Sequence, residues 1–236
     1  MPRTNGLTAA ASALRYWERR QEVASNNLAN ASTDGFKAER VFGQMLGDAT
    51  TAAQTATDLR AGTLRETSNA LDLAIGGEGF FVVGTPSGER YTRGGSFQLD
   101  AGRQLVDAQG NVVLGTAADG STGPMVLPTG AVTVDRAGTV SVDGKAVATL
   151  RLERPAPGAR LTHEGGTLFV PDGSGQPVAA ADRLVRQGAL EESNVSPIGS
   201  LVDMIAVQRA YASVQKAVTT LDAVRGTAVT DLGKPV

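Results

Sequence analysis

The sequence predicts an α+β chain. Long N- and C-terminal α-helices pair as a coiled-coil-like discontinuous domain, and a central antiparallel all-β domain is inserted between them. Three observations predict it. All but three of the 29 glycines (Gly6, Gly226 and Gly233 are the exceptions) fall between positions 35 and 199 of 236, so turn-forming residues are confined to the middle. Both ends carry apolar residues at alternating spacings of three and four, the heptad pattern of a helix that packs on a helix. The middle carries short β-branched runs separated by Gly, Asp and Pro turns.

Composition removes several classes of function. The balance of 22 basic and 24 acidic residues leaves a charge of −2, and no run of Lys or Arg is present, so nucleic acid is not an expected partner. There is no cysteine, hence no disulfide framework and no thiolate metal site. No apolar run approaches the roughly 20 residues that span a bilayer. The N-terminus has no apolar stretch before Arg15, so it does not read as a cleavable secretory signal, and a location outside the cytoplasm would need another export route.

The first helix is expected within 1–34. Residues 7–33 contain neither Gly nor Pro, and Leu7, Ala10, Leu14, Trp17, Gln21, Ala24, Leu28 and Ala31 form its seam. Small seam residues allow close helix approach, but so thin a seam is marginal without partners. Trp17 reads as a packing anchor. The Asn, Ser and Thr cluster from Ser25 to Thr33 competes for backbone hydrogen bonds and ends the helix before the Asp34-Gly35 turn. Asn26, Asn27 and Asn30 either cap the helix end or fix the register between subunits.

Residues 35–66 read as an extended connector. Phe36, Val41, Phe42, Met45 and Leu46 make one short amphipathic piece, while 48–57 is mostly Ala, Thr and Gln, too polar for a core and read as extended or loop. The β-domain is expected over 67–189, with strands near 71–75, 80–83, 91–93, 96–99, 104–106, 112–114, 132–134, 140–142, 147–152 and 167–170. Phe80, Phe81, Tyr91 and Phe97 are its expected core.

Site chemistry is sparse in this stretch. Gly76-Gly77-Glu78-Gly79 precedes an aromatic strand, and no Lys-Ser/Thr completes a phosphate loop, so it reads as a tight turn. His163 is the only histidine and reads as a loop residue. Neither a Gly-x-Ser-x-Gly elbow nor a spaced set of acidic calcium ligands is present. Asp72 reads as a carboxylate that satisfies backbone N–H groups. No catalytic residue, cofactor or metal is therefore expected, and the chain does not read as an enzyme.

The last segment, 190–236, reads as one long helix from Leu190 to Arg225. Ser196 serves as cap, Pro197 stands at the first helical position and Gly226 is the stop. Met204, Val207, Tyr211, Val214, Val218 and Leu221 form a heptad seam. Ile198, Leu201 and Ile205 start a second stripe beside it. A helix apolar on two sides needs two neighbours.

Three stretches carry a resemblance. Asn26 to Lys37 (NNLANASTDGFK) resembles the N-terminal signature of bacterial flagellar basal-body rod and hook proteins. Asn69 to Val83, followed by Tyr91-Thr92-Arg93-Gly94-Gly95-Ser96-Phe97, resembles the family's entry into its β-domain. Leu190 to Val195, with Asp203-Met204-Ile205 and Gln208-Arg209-Ala210-Tyr211, resembles the C-terminal signature. The three lie in order from end to end.

The resemblance implies a structural rod subunit that assembles helically through its terminal helices, transmits torque and lines an export channel. Its partners would be other copies, other rod proteins and, during secretion, the flagellar export apparatus. It would be exported without a cleavable signal peptide to the periplasmic rod and would not span a membrane. The short connector and β-domain imply a proximal rod component, with a distal rod component, which Gln208-Arg209-Ala210-Tyr211 fits, as the alternative. The expected subunit-interface residues on the first helix are Leu7, Leu14, Trp17, Gln21, Ala24, Asn26, Asn27, Leu28 and Asn30. On the last segment they are Asn194, Ile198, Leu201, Met204, Ile205, Val207, Gln208, Tyr211, Val214, Val218 and Leu221. The alternative from another class is a self-contained β-rich ligand-binding domain or enzyme.

Overall fold

The computed structural model describes residues 6–46 and 50–232. They form two compact units. One comprises the two terminal helices with residues 39–56, and the other comprises residues 30–38 and 57–194.

In the first unit, helix α1 (Gly6–Ala29) packs along helix α2 (Pro197–Leu232). The pairing is antiparallel: Ser25 faces Met204, with Oγ and Sδ 3.9 Å apart, and the Tyr211 hydroxyl donates to Glu18 Oε1 at 3.2 Å. Val23, Ala24 and Val207 are buried at the contact. Residues 39–46 and 50–57 form a two-stranded sheet, within the stretch read as an extended connector.

Two helix ends differ from expectation. Helix α1 stops at Ala29 because the chain turns back on itself: Thr33 N–H donates to the Asn30 carbonyl at 3.1 Å and Thr33 Oγ1 to Asn30 Oδ1 at 3.2 Å. Ala31 thus leaves the seam. The turn closes at Gly35, whose φ of 76° and approach to the Arg93 backbone (2.3 Å for an added Cβ) admit only glycine. Helix α2 begins where expected, Ser196 Oγ accepting from Gly199 N–H at 3.2 Å, but it runs through Gly226 to Leu232. A mid-helix glycine costs only about 1 kcal/mol, and Thr227 Oγ1 anchors back to the Ala223 carbonyl at 3.0 Å. Leu190 to Val195 lies outside the helix; Ala189–Glu191 is a strand paired with Leu64–Glu66.

The second unit is antiparallel throughout. Its centre is the strand Phe80–Thr85, paired with Gly88–Thr92 (Val82 opposite Tyr91), Val112–Ala117 (Val83 opposite Val113) and Leu152–Arg154 (Leu152 opposite Phe81). Alternate residues serve different cores. Phe81 and Val83 join Leu73, Ile75, Phe97 and Leu105, whereas Phe80 and Val82 join Tyr91, Leu114 and Phe169. A strand buried on both faces reads as a continuous apolar run, which is why Phe80-Phe81-Val82-Val83 stands out in the sequence.

His163 is corrected from loop to strand. It lies in Leu161–Gly165 opposite Phe169, its ring edge-on to Phe169 and Phe36 at 4.9 and 5.2 Å. The strands Leu64–Glu66, Val185–Gln187 and Ala189–Glu191 also lacked an alternating pattern and were not expected.

Three of the buried charges of this unit, Lys37, Arg93 and Glu191, meet at one point. Lys37 and Glu191 are fully buried and bonded to each other. Glu191 Oε2 also accepts from Arg93 Nη1 at 3.0 Å, and its Oε1 from Gly62 N–H at 2.9 Å. Lys37 Nζ donates to the Arg60 carbonyl at 2.8 Å. The rest of the Arg93 fork reaches the carbonyls of Ile75 (3.1 Å) and Gly77 (2.8 Å). Desolvation lowers the Lys37 pKa from its ordinary value, and the Glu191 carboxylate opposes that shift. Two cations share one carboxylate, so removing the carboxylate strands both. Glu191→Gln is expected to destabilise the unit by about 3–5 kcal/mol. The triple change Lys37→Met, Glu191→Leu, Arg93→Met should recover most of that loss, as read from urea unfolding midpoints.

Candidate assembly surface

Helix α2 carries more apolar residues than one neighbour can cover. Its first stripe faces α1: Met204, Tyr211, Val214 and Val218 are half-buried and Val207 is 1% exposed. Leu221, the last expected member, is exposed. The second stripe is uncovered within the chain. Ile198 is 76% exposed, Leu201 46%, Val202 61% and Ile205 52%. These four stand at i, i+3, i+4 and i+7, one continuous face of a helix. Burying an Ile, Leu or Val side chain is worth about 1.5–3 kcal/mol, so this face is a store of unused association energy. Val202 belongs to it but was not among the expected residues; its spacing of four from Ile198 was the available signal.

On α1, Leu14, Trp17, Gln21 and Leu28 are half-buried and Ala24 is buried. Leu7 lies in the first turn, with its side chain outside the described residues. Trp17 meets Tyr16 edge-on at 5.2 Å, and the Arg20 guanidinium lies 5.5 Å from the Trp17 ring centroid. Arg20 also reaches Asp203 on α2 at 3.8 Å.

The asparagines divide. Asn27 Nδ2 donates to the Glu39 carbonyl at 2.8 Å and its Oδ1 accepts from Glu39 N–H at 2.9 Å, so the side chain holds the first hairpin strand like another strand edge. Asn194, in the other unit, accepts from Ala38 N–H at 2.7 Å and donates to the carbonyls of Asp58 and Arg60 at 2.8 and 2.9 Å. Asn30 forms the turn already described. Asn26 and Gln208 are exposed.

The helical unit also has a cleft of about 350 Å³ with Val23, Ala24 and Val207 at its floor and Arg20, Asn27, Glu39 and Asp203 around it. Among the described residues no group of three His, Asp or Glu side chains could hold a metal ion, and no helix is long and apolar enough to cross a membrane.

Three family models match the chain: "Flagella basal body rod protein" over 7–37, "Flagellar hook protein FlgE/F/G D1 domain" over 74–142, and "Flagellar basal body rod FlgEFG protein C-terminal" over 186–231. The flagellar basal-body rod protein FlgF of Caulobacter vibrioides is 32% identical, over 98% of each chain. FlgF of Escherichia coli is 34% identical over 88% of this chain and 90% of its own. FlgG of Borreliella burgdorferi is 31% identical over 94% and 96%. The chain belongs to the flagellar basal-body rod protein family. Within it, the chain is most like FlgF.

The three matched stretches of this rod-family chain meet at the buried charges. Lys37 ends the first, Arg93 lies in the second and Glu191 in the third.

Two positions on α2, Ile205 and Val207, separate the stripes. In the isolated chain Val207→Asp places a carboxylate in the buried contact and is expected to cost several kcal/mol of helix-pair stability. Ile205→Asp, on the open face, should change it by less than about 0.5 kcal/mol. Thermal melts followed by far-UV circular dichroism compare the two.

Proposed function

We propose that this chain is a structural subunit of the flagellar basal-body rod, non-enzymatic, assembling with further copies and with other rod proteins in the basal body. The observation that carries the reading is the division of α2. One apolar stripe is used inside the chain, and the other, Ile198–Leu201–Val202–Ile205, is left open over two helical turns. Head-to-tail contacts between different patches of identical or related subunits generate an open helical filament when they do not close.

In this reading the helix pair supercoils in a coiled-coil-like manner and neighbouring helices cover the open stripe. The resulting tube transmits torque and encloses the path of later exported subunits. Export proceeds through the flagellar secretion apparatus. The residues assigned to subunit contacts are those of the open stripe, with Gln208 beside it and Leu14, Trp17 and Leu221 farther along the helix pair. Asn27 and Asn194 act within the subunit, where their amide groups are engaged. The full-length match to FlgF of Caulobacter vibrioides and the short connector support a FlgF-type proximal position. The match to FlgG of Borreliella burgdorferi supports the distal rod as the second reading.

Ile205→Asp is expected to leave the β-unit folded and to exclude the subunit from basal bodies, abolishing motility. A motile cell with the variant in its rod would overturn the buried-stripe reading. Cryo-electron microscopy of isolated basal bodies decides position. Density for Tyr16-Trp17 and Tyr211 at the cell-proximal part of the axis is expected, and density repeated along the distal shaft would move the assignment to the FlgG type.

A further inference from the structure

The β-unit has arginines of two kinds. Nearly all are engaged: Arg60 with Asp58, Arg65 with Asp34 and Glu192, Arg90 with Glu164, Arg93 with Glu191, Arg151 with Glu89 and Glu153, and Arg154 with Glu78. Arg103 and Arg183 donate to backbone carbonyls, and Arg160 has a partner too. Arg136 and Arg186 are the exceptions. Both are exposed, and neither guanidinium has a hydrogen-bond or ion-pair partner among the described residues.

These two arginines line the same cleft, about 330 Å³ in volume, whose floor is Leu64, Leu184 and Val185. A second cleft of about 400 Å³ adjoins it, sharing Leu64 and Arg186. The cause is local backbone geometry. Residues 185–191 run as two short strands paired with Leu73–Ile75 and Leu64–Glu66, and they are broken at Gly188, whose φ is 71°. The Val185 N–H donates to the Arg136 carbonyl at 2.9 Å, which brings the two arginine-bearing segments side by side. Glu66 lies on the second cleft and pairs with neither arginine. The first cleft is lined by cations and apolar groups with no carboxylate.

A planar guanidinium presents paired donors that match a carboxylate, and such contacts are among the stronger surface interactions. A narrow groove with an apolar floor and unpaired guanidinium groups is complementary to an extended segment in which acidic and aliphatic residues alternate. The Leu64–Glu66 strand is paired on one side only, with Ala189–Glu191, so it also offers an edge to such a segment.

We propose that the cleft bounded by Arg136 and Arg186 is a second docking surface, taking an acidic, extended segment of a neighbouring rod subunit. The partner's identity as a rod subunit rests on the function proposed above, while its chemistry rests on the cleft itself. The surface is distinct from the α2 stripe in both location and physics.

The test uses the full-length chain and a fluorescein-labelled octapeptide of alternating Glu and Leu, followed by anisotropy. Binding is expected to weaken at least about tenfold in Arg136→Glu/Arg186→Glu. It should weaken also as salt rises from about 0.05 M to about 1 M, where screening shortens to a few ångströms. Arg136→Gln/Arg186→Gln, which removes charge without adding any, should fall between. The control Lys145→Glu, at an exposed strand end, should bind as the parent does, and a Lys/Leu octapeptide should not bind. Equal binding by the parent and the reversed variant, or no binding of the Glu/Leu peptide, overturns the proposal.

In cells the doubly reversed variant is expected to enter basal bodies less well than the parent. Normal incorporation, with Ile205→Asp still excluded, overturns the role of the cleft and leaves the rod reading intact. Normal incorporation of both variants overturns the α2 stripe as an assembly face, and the peptide measurement then still reports on the cleft alone.

Discussion

The Lys37–Glu191–Arg93 contact decides how this chain can be arranged at all. Three charged groups have been taken out of water, and each would cost several kcal/mol without a partner. Only their convergence makes the interior tolerable. Convergence requires residues 37, 93 and 191 to meet, so the start, middle and end of the β-unit are tied at one point. Asn194 extends the tie. Its side chain holds Ala38, Asp58 and Arg60, and its own N–H donates to the Phe36 carbonyl. A unit assembled from residues 30–38 and 57–194 is discontinuous in sequence, and these few polar contacts knit its separate ends together.

An apolar interior could have supplied stability at least as well, since replacing a buried ion group with well-packed apolar residues is often neutral or favourable. Charges supply discrimination. Glu191 has one geometry that meets Lys37, Arg93 and the Gly62 N–H together, and a strand shifted by one residue would leave all of them unsatisfied. In a unit of many short strands, several of them two or three residues long, register is weakly specified by pairing alone. The charge contact fixes it where Ala189–Glu191 meets Leu64–Glu66.

Much of this was legible in the sequence, and the exceptions have a common cause. Both helices, the first stripe of α2, the Ser196 cap and the two-faced strand at Phe80 follow from periodicity and capping, which are local properties. The elements that escaped notice depend on distant partners. Leu64–Glu66 and Ala189–Glu191 have no alternating pattern because their side chains answer to a buried charge and an ion pair with Asp34. His163 has polar neighbours in sequence but lies between Phe36 and Phe169 in space. The stop at Gly226 failed for the opposite reason. A local signal worth about 1 kcal/mol was outweighed by a helix that simply continued. The amide of Asn27 is matched to the backbone of Glu39, and that of Asn194 to Ala38, Asp58 and Arg60, a use within the chain that spacing alone does not reveal.

The two proposed surfaces differ in what each can contribute. Apolar burial along Ile198–Ile205 is strong per unit area but nearly indifferent to direction, so a filament built on it alone would slide along its helices. Charge pairing at a surface cleft is sensitive to salt, yet it penalises misplacement because a displaced carboxylate loses its partners. A subunit that must occupy one position beside closely related chains needs both properties. Relatives with similar seams would compete for the same helical contact, and discrimination among them must come from features that reject the wrong neighbour. Arg136 and Arg186 are suited to that task because, among the described residues, no group of their own subunit pairs with them. Their charge remains available to accept one partner and to repel another.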